Sequence, residues 1–576
     1  MKRNVIGLLL LAAFVFQSVG FAQAPAALAA KPAAQPHALK ISSAERKFAE
    51  GVTAEQLKEY LYFVASDEME GRDTPSRGLD TVAKFIALNL TKWGFKPAGD
   101  DGTFFQKIAL HRDTVDAAAT SVSVGGQTFS YGDDVARASG SGAISAPIVY
   151  VGNGWMVKSK NLNPYAGIDV KGKLVAVLSE GPLSQRGLVP APAALLPGDT
   201  PNNTRGTDWA DPITYGRANG AAGVVILPSK FLTDNWSAIT SNFGRSRVVV
   251  DKFTQPTNAA NPGAGMSILF ASPKMTNALF AGEAGNPLAG ATSSFDLSPS
   301  KVFNFTIATK PEQLWTRNVV ALWEGRDPTL KSEMVAIGAH YDHIGISTNP
   351  NATDKINNGA DDDGSGTVSV LSIAEALAHT KERPKRSVLF VWHCGEEKGL
   401  WGSQYFNSFP TVDIKKVTAQ LNIDMIGRSK KPGYMAPCDT NPGPRGPCNA
   451  TLSGENQVYV IGKDMMSSTL GDIVSGVNSG YLNMDYDTRY DDPKDTNRFF
   501  FRSDHYNYAK NGIPIAFWFD GEHEDYHQPG DEPQKIDYVK MEKIARTIAI
   551  TLWKLTDLKE RPKIDKPLPA QLTQGR

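Results

Sequence analysis

From about residue 310 onward, short apolar runs alternate with segments of helical periodicity, and few folds accommodate this order. The runs read NVVALWEG, MVAIGAHYD, SVLFVWHCGE, AQLNIDMIG, QVYVIG and PIAFWFDG, with helical patterns over 367–378 and 538–555. Such alternation predicts an α/β domain with a mixed, largely parallel sheet and helices on both of its faces. In sheets of this kind, the loops that follow the strands carry the chemistry.

The chain has 576 residues, which is enough for two or three domains with separate cores. Helical spacing over 53–65 and 78–93 predicts the opening helices of the main domain. From about residue 142, short β-branched runs separated by Gly, Pro and Asn indicate a small β-rich module. We therefore predict a discontinuous main domain over 43–140 and 305–560, an inserted module with its connections over 141–304, and a C-terminal tail over 561–576.

The first residues have the pattern of an export signal. Two basic residues precede an apolar run over 5–16, and small residues follow up to Ala24. A membrane anchor is the alternative, but a spanning helix needs roughly 20 apolar residues. We predict a cleaved signal peptide over 1–24, a linker over 25–42, no stable membrane span after cleavage, and a periplasmic or secreted protein.

The overall charge excludes one class of partner. Lys plus Arg and Asp plus Glu both number 60, so no net field attracts nucleic acid or an anionic membrane. Hydrophobic residues make up 41% and charged residues 21% of the chain, which is typical of a folded globular protein.

Three cysteines are present. Cys438 and Cys448 flank the segment CDTNPGPRGPC, and in an oxidising compartment this spacing predicts a disulfide between them. Cys394 lies beside an acidic pair and is predicted to be a buried, small hydrophobic residue.

Two motifs after strands contain candidate metal ligands. In AHYDH, His340 is a candidate ligand and Asp342 a carboxylate that orients its imidazole, although an ordinary hydrogen-bonded His–Asp pair has the same sequence. In GADDDGSG, three consecutive acids repel one another and favour a compensating cation. A solvated turn with Asp residues that cap the next helix is the alternative.

Three further motifs follow strands of the same domain. In WHCGEEKG, one of two adjacent glutamates can bind a metal while the other moves a proton, although such pairs are also common on surfaces. In LNIDMIG, Asp424 interrupts an apolar strand and needs a metal or a hydrogen-bond network as its partner. In EDYHQPGD, His527 follows Tyr526 after the last apolar run. Together, two His and three acidic groups suit zinc with a position left open, and an Asp that bridges two ions.

As a set, these motifs resemble those of the dinuclear-zinc exopeptidases, a family that includes bacterial secreted aminopeptidases and is related to glutamate carboxypeptidase. The resemblance runs from about residue 50 to 555, interrupted by the insert, which itself resembles a protease-associated domain through VKGKLVAVLSEG and GRANGAAGVVILP. It implies two zinc ions, the first held by His340 and Asp424, the second by Glu397 and His527, and both bridged by Asp362. Asp361 and Asp363 are the alternatives to Asp362.

The resemblance also implies roles for other residues. Glu396 corresponds to the general base, and Tyr526 to the tyrosine that stabilises the oxyanion of the tetrahedral intermediate. In RSDH, Arg502 corresponds to an arginine beside the substrate pocket, while His505 is not the expected ligand. The protease-associated module is expected near the mouth of the active site.

The expected activity is that of an exported zinc aminopeptidase, which removes residues from the N-termini of peptides or proteins. Glu396 and Asp424 are the available counter-charges for a free amine. Phe517 and Phe519 are candidates to shape a side-chain pocket, although the run is also compatible with a core strand. A carboxypeptidase of the same superfamily would need several basic groups, and Arg502 is the only one among these motifs. A non-catalytic peptide-binding protein on the same fold would be expected to lose ligands or the base.

Overall fold

The structure, a computed structural model, describes residues 37–573 except for 141–142, 179–204, 244–246, 254–265, 292, 348–351 and 432–451. The predicted signal peptide and the predicted disulfide between Cys438 and Cys448 lie outside the described residues. Within the described part of the chain, no helix combines the length and the apolarity that crossing a bilayer requires.

The main sheet has ten strands among the described residues. In spatial order they are Arg247–Val250, Phe105–Val115, Thr309–Trp323, Ser387–His393, Met334–His340, Val417–Ile423, Ile515–Phe519, Gln457–Ile461 and Asp485–Asp487, with Lys96–Pro97 paired to Thr309–Trp323. The four strands from Ser387–His393 to Ile515–Phe519 are parallel to their neighbours within this group. The strands on either side of the group join it in antiparallel fashion. The predicted α/β class with a mixed sheet is confirmed.

The central strands are apolar throughout because both faces of the sheet are covered. In the strand Met334–His340, Val335 and Ile337 pack into the core on one face, whereas Met334 and Ala336 pack into the core on the other. Successive side chains of a strand point to opposite faces, so one apolar run contributes to both cores.

Helices cover both faces. Those of the main domain are Ser43–Glu50, Ala54–Val64, Arg77–Lys92, Gly366–Ala378, Trp401–Ser408, Ser468–Gly480, His505–Lys510 and Tyr538–Asp557. The Thr53 side chain caps the second helix by accepting a hydrogen bond from Gln56 N at 3.2 Å. The predicted helices over 53–65, 78–93, 367–378 and 538–555 therefore form with ends within two residues of those expected.

A second sheet forms the β-rich module. Its strands are, in spatial order, Gln127–Phe129, Ser121–Val124, Val302–Thr306, Ile144–Tyr150, Leu174–Leu178, Gly223–Leu227, Ser267–Ala271 and Val135–Ser139, with Phe295–Asp296 paired to Ile144–Tyr150. Met156–Val157 pairs separately with Trp209–Ala210. The helices Pro212–Ala218, Lys230–Asp234, Trp236–Phe243 and Pro273–Phe280 belong to this region, and the short helix Ala570–Thr573 ends the described chain.

The boundaries of the module differ from the predicted range 141–304. The second sheet already includes Ser121–Val124, and Arg247–Val250 leaves the module to pair with Phe105–Val115 of the main sheet. The early strands are short, and the pairing of Arg247–Val250 joins residues distant in the sequence, so neither has a strong local signal. The likeness of the module to a protease-associated domain stays a prediction.

Candidate metal centre

The predicted ligands converge because they follow neighbouring strands. His340 is the last residue of Met334–His340, Asp424 comes directly after Val417–Ile423, and Glu397 follows Ser387–His393. These three strands are adjacent and parallel, so their carboxyl ends meet at one edge of the sheet.

The first group of ligands consists of His340, Asp362 and Asp424. His340 Nε2 lies 3.3 Å from Asp362 Oδ1 and 3.5 Å from Asp424 Oδ2. All three residues are buried, and their ligand atoms are close enough together to hold one metal ion.

The second group is built on the other oxygen of Asp362. His527 Nε2 lies 3.1 Å from Asp362 Oδ2 and 3.1 Å from Glu397 Oε2. Asp362 therefore presents one oxygen to each group, which is the arrangement expected of a bridging carboxylate. The structure brings all five predicted ligands together.

Of the three consecutive aspartates, Asp362 is the one that faces both groups, because Asp361 and Asp363 bind backbone N–H groups. Asp363 accepts hydrogen bonds from the backbone N–H groups of His340, Gly366 and Met425. Asp361 accepts one from Gly427 N at 2.6 Å, and its Oδ2 lies 3.3 Å from His523 Nε2. These two aspartates stabilise the surrounding loops.

The electrostatics of the two groups call for a cation. Burial lowers the pKa of His340, but the carboxylates of Asp424 and Asp362 outweigh it and raise this pKa well above its ordinary value. Burial also lowers the pKa of His527, yet Asp362 and Glu397 raise it to about 11. Imidazole protons thus neutralise the carboxylates, and a divalent cation could replace them. Buried His and carboxylate donors at these separations fit zinc.

Asp342 acts through a different atom from the one predicted. The His340 Nδ1 atom lies 3.1 Å from the backbone carbonyl oxygen of Asp342 but 3.8 Å from its carboxylate. The carboxylate instead accepts a hydrogen bond from the backbone N–H of Glu396 at 3.1 Å. The carbonyl therefore orients the imidazole, because the chain turns back beside His340, and the carboxylate holds the Glu396 loop.

A cavity opens beside the first group. Its lining residues are His340, Asp362, Glu396, Asp424, Met425, Phe499, Arg502, Phe517, Phe519, Glu522 and Tyr526. Both Phe517 and Phe519 face it, while the intervening Trp518 packs on the opposite side of the strand and donates its Nε1–H to Tyr486 Oη at 3.2 Å. Because successive side chains of a strand point to opposite faces, Phe517 and Phe519 face the cavity and Trp518 faces the core.

Arg502, Glu522 and Tyr526 form a linked set at the cavity wall. The Arg502 Nη2 group donates to Glu522 Oε1 at 2.6 Å and to Tyr526 Oη at 3.1 Å. Burial raises the pKa of Tyr526 well above its ordinary value, so the phenol keeps its proton. Because the oxygen of Tyr526 accepts the arginine N–H, the hydroxyl hydrogen is available as a donor.

Sequence reasoning missed four residues of the site. Met425, Phe499 and Glu522 line the cavity, and His343 places its Nδ1 atom 2.9 Å from Glu397 Oε1. His343 belongs to the same AHYDH motif as His340, so a second histidine in that motif was the available signal.

Two predicted non-ligands lie outside both groups. His505 is buried and stacks on Phe517 with ring centroids 4.4 Å apart. Cys394 is a buried free thiol.

Residues 318–552 match the model of Peptidase family M28. This part of the chain is similar to peptidase family M28. The matched segment contains both ligand groups and every cavity residue named above. It does not contain the helices before residue 93 or the second sheet.

Curated relatives match parts of the chain. Leupeptin-inactivating enzyme 1 of Streptomyces exfoliatus is 35% identical over 118 residues, which are 20% of this chain and 24% of the relative. The probable leucine aminopeptidase 2 of Aspergillus oryzae is 31% identical over 216 residues, which are 37% of this chain and 36% of the relative. The chain thus spans only about a quarter to a third of the lengths of these two relatives.

Solved structures of low sequence identity are also similar to this chain. An aminopeptidase from Aneurinibacillus sp. strain AM-1 aligns with a TM-score of 0.48 at 16% identity, covering 91% of this chain and 97% of the other. A zinc aminopeptidase from Bacillus subtilis aligns with a TM-score of 0.46 at 15% identity, covering 90% and 99%.

Proposed function

We propose that this protein is an exported zinc aminopeptidase that releases hydrophobic residues from the N-termini of peptides. The observation that carries the proposal is the cavity in which Glu396 and Tyr526 stand beside His340, Asp362 and Asp424. The match of residues 318–552 to Peptidase family M28 and the relative named as a probable leucine aminopeptidase support it.

Two zinc ions would be held by the two groups, with His340 and Asp424 on the first, Glu397 and His527 on the second, and Asp362 shared. Zinc supplies Lewis acidity, which makes hydroxide available near neutral pH.

Glu396 is the proposed general base. Burial raises the pKa of Glu396, and the nearby carboxylates of Glu397 and Asp424 raise it further. His340 lowers it, but the pKa still lies well above its ordinary value. A carboxyl group with such a pKa suits both steps required of it, since it must accept a proton from water and then donate it to the leaving amine. The hydrogen bond from Glu396 N to Asp342 keeps this residue at the cavity wall.

Tyr526 is the proposed oxyanion donor. Its hydroxyl hydrogen is available to the substrate because Arg502 donates to the phenol oxygen from the other side. A preorganised donor of this kind stabilises negative charge that develops on the scissile carbonyl oxygen.

The charges of the cavity favour an amine over a carboxylate as the terminal group of the substrate. Glu396 and Asp424 are acidic, and Arg502 is paired with Glu522 at 2.6 Å. A carboxypeptidase would need unpaired basic groups to bind its substrate carboxylate. The aromatic wall of Phe499, Phe517 and Phe519 suits a hydrophobic N-terminal side chain.

The test compares free and N-acetylated forms of one peptide with an N-terminal leucine. We expect release of leucine from the free peptide only, loss of activity after chelation, and recovery when zinc is added. Equal cleavage of both forms, or release from the C-terminus, would refute the aminopeptidase. Export is tested separately by fractionating cells that express the full chain and a form without residues 1–24, since the proposal expects only the full chain outside the cytoplasm.

A further inference from the structure

His343 is a buried imidazole directed at the second group of ligands. Its Nδ1 atom lies 2.9 Å from Glu397 Oε1 and 3.7 Å from Asp362 Oδ2, and its side chain is 0% exposed. Among the residues that the structure describes, neither ring nitrogen has a partner at hydrogen-bond angles, so Nδ1 faces these carboxylates without a well-aligned hydrogen bond. A buried polar group in this position is costly, and a cation between the ring nitrogen and the carboxylates would be stabilising.

The surrounding loops are built to accommodate this ring. A Cβ atom at Gly359 would lie 2.5 Å from His343 Cγ, so this position has room for the imidazole only because it is a glycine. Gly359 also has a φ of 58°, a conformation that glycine adopts without strain. Its carbonyl accepts a hydrogen bond from Arg72 Nη2 at 2.8 Å, and the backbone N–H of His343 donates to the carbonyl of Arg72 at 3.2 Å.

Arg72 holds the two loops together. Its buried guanidinium also donates to the carbonyls of Tyr341 and Asn358, which flank the His343 and Gly359 segments, and to that of Val64. The position of the His343 ring is therefore fixed by contacts outside the ligand groups.

The ligand atoms of His343, Asp362 and Glu397 are close enough together to hold one metal ion. Zinc bonds of about 2.0 to 2.1 Å place tetrahedral ligand atoms roughly 3.3 Å apart. The His343 Nδ1 atom lies 2.9 Å from Glu397 Oε1 and 3.7 Å from Asp362 Oδ2. The His527 Nε2 atom lies 3.1 Å from Glu397 Oε2 and 3.1 Å from the same oxygen of Asp362, so the two imidazoles meet the two oxygens of Glu397.

The cavity distinguishes the two groups. Of the described residues, His340, Asp362 and Asp424 line it, whereas Glu397, His343 and His527 do not. The first group has three protein ligands and faces the cavity, as an open catalytic position does, whereas of the second group only the shared Asp362 lines it.

We propose that His343 is a fourth protein ligand at the second metal position, which makes that position closed and leaves the open coordination site to the first. The inference rests on the proposed zinc-dependent function. It predicts unequal affinities, with the closed position filled first.

The test uses full-length protein stripped of metal and given one equivalent of zinc. X-ray absorption is expected to find two imidazoles at this zinc in the wild type and one in H343A. Competition with a chelator is expected to show that H343A lowers the zinc affinity of one of two sites at least tenfold. The control H393Q changes a buried histidine outside both groups and should leave both affinities unchanged. Circular dichroism checks that each variant is folded.

The outcomes separate the two proposals. A wild type that binds two zinc ions but has one imidazole at the first would overturn the role of His343 and leave the aminopeptidase intact. A wild type and an H393Q variant that bind no zinc would overturn both. The absorption measurement on the wild type decides the point even if H343A does not fold.

Discussion

The Oδ1 atom of Asp342 accepts a hydrogen bond from the backbone N–H of Glu396 at 3.1 Å, which ties the segment of a metal ligand to that of the proposed base. Burial raises the pKa of Asp342 to about 7, so an amide oxygen should replace the carboxylate well in this contact. We expect D342N to retain most of kcat. D342A should lose about ten- to hundredfold, which corresponds to one buried hydrogen bond of roughly 1 to 3 kcal/mol. Steady-state kinetics on leucine p-nitroanilide measures kcat for both variants. Equal losses of kcat would mean that the hydrogen bond to Glu396 does not support catalysis.

Adjacent glutamates should respond differently to the same substitution. E396Q removes the base and should lower kcat by about 10² to 10⁴, because a positioned general base contributes this much, while the zinc content stays unchanged. E397Q removes a ligand and should lower zinc content as well. Elemental analysis alongside kinetics checks the pair. Zinc lost from E396Q but kept by E397Q would exchange their roles.

Tyr526 should affect kcat more than KM. Removing a donor that acts on the developing oxyanion costs on the order of 100- to 1000-fold, so Y526F is expected to lose kcat in this range with little change in KM. Y165F is the matched control, since that hydroxyl donates to Gly154 O in the second sheet. The same fall in kcat in both variants would mean that Tyr526 contributes only stability.

Phe499 should set the size of the side chain that the cavity accepts. It packs against Phe519 with ring centroids 4.9 Å apart and lines the cavity. F499A should shift kcat/KM towards phenylalanine over valine substrates by about tenfold, since packing differences of this size are worth roughly 1 to 3 kcal/mol. F501A, in the same turn but not lining the cavity, should leave the preference unchanged. Kinetics on a series of aminoacyl p-nitroanilides measures the preference of both variants. An unchanged preference in F499A would mean that Phe499 does not set the size of the accepted side chain.

His505 should make the protein sensitive to acid. Burial lowers its pKa to about 3, whereas an unfolded histidine has a pKa of roughly 6.5. Between these values the unfolded chain binds the extra proton, so this contribution to stability is complete above about pH 6.5 and falls by roughly 1.4 kcal/mol per unit below it. Urea unfolding at pH 7 and pH 5 should therefore show a smaller loss of stability on acidification in H505F than in the wild type. Identical pH dependence would mean that the pKa of His505 is the same in the folded and the unfolded chain, which would contradict the expected shift.

The ligand positions could be predicted from sequence because each follows a strand that is itself recognisable. His340, Glu397 and Asp424 stand after apolar runs, and parallel strands bring their ends together whatever the details of the loops. The choice among three aspartates rested on resemblance, and the structure adds the physical reason, since Asp361 and Asp363 bind backbone N–H groups.

Other features depend on geometry that no local pattern encodes. Whether the carbonyl or the carboxylate of Asp342 meets His340 is decided by the path of the backbone after the strand. The direction of His343 depends on Gly359 and Arg72, which are distant in the sequence. The boundary of the second sheet depends on Arg247–Val250, whose partner strand lies more than a hundred residues earlier.

The guanidinium of Arg72 has a consequence for how the chain folds. It lies outside the segment 318–552, yet it binds carbonyls of Tyr341, Asn358 and Gly359. During synthesis, Arg72 is made some 270 residues before the loops whose carbonyls it binds. The loops that carry the candidate ligands can therefore reach these contacts only once the segment around Arg72 has docked on them, and a fragment limited to 318–552 would lack the residue that holds these loops together.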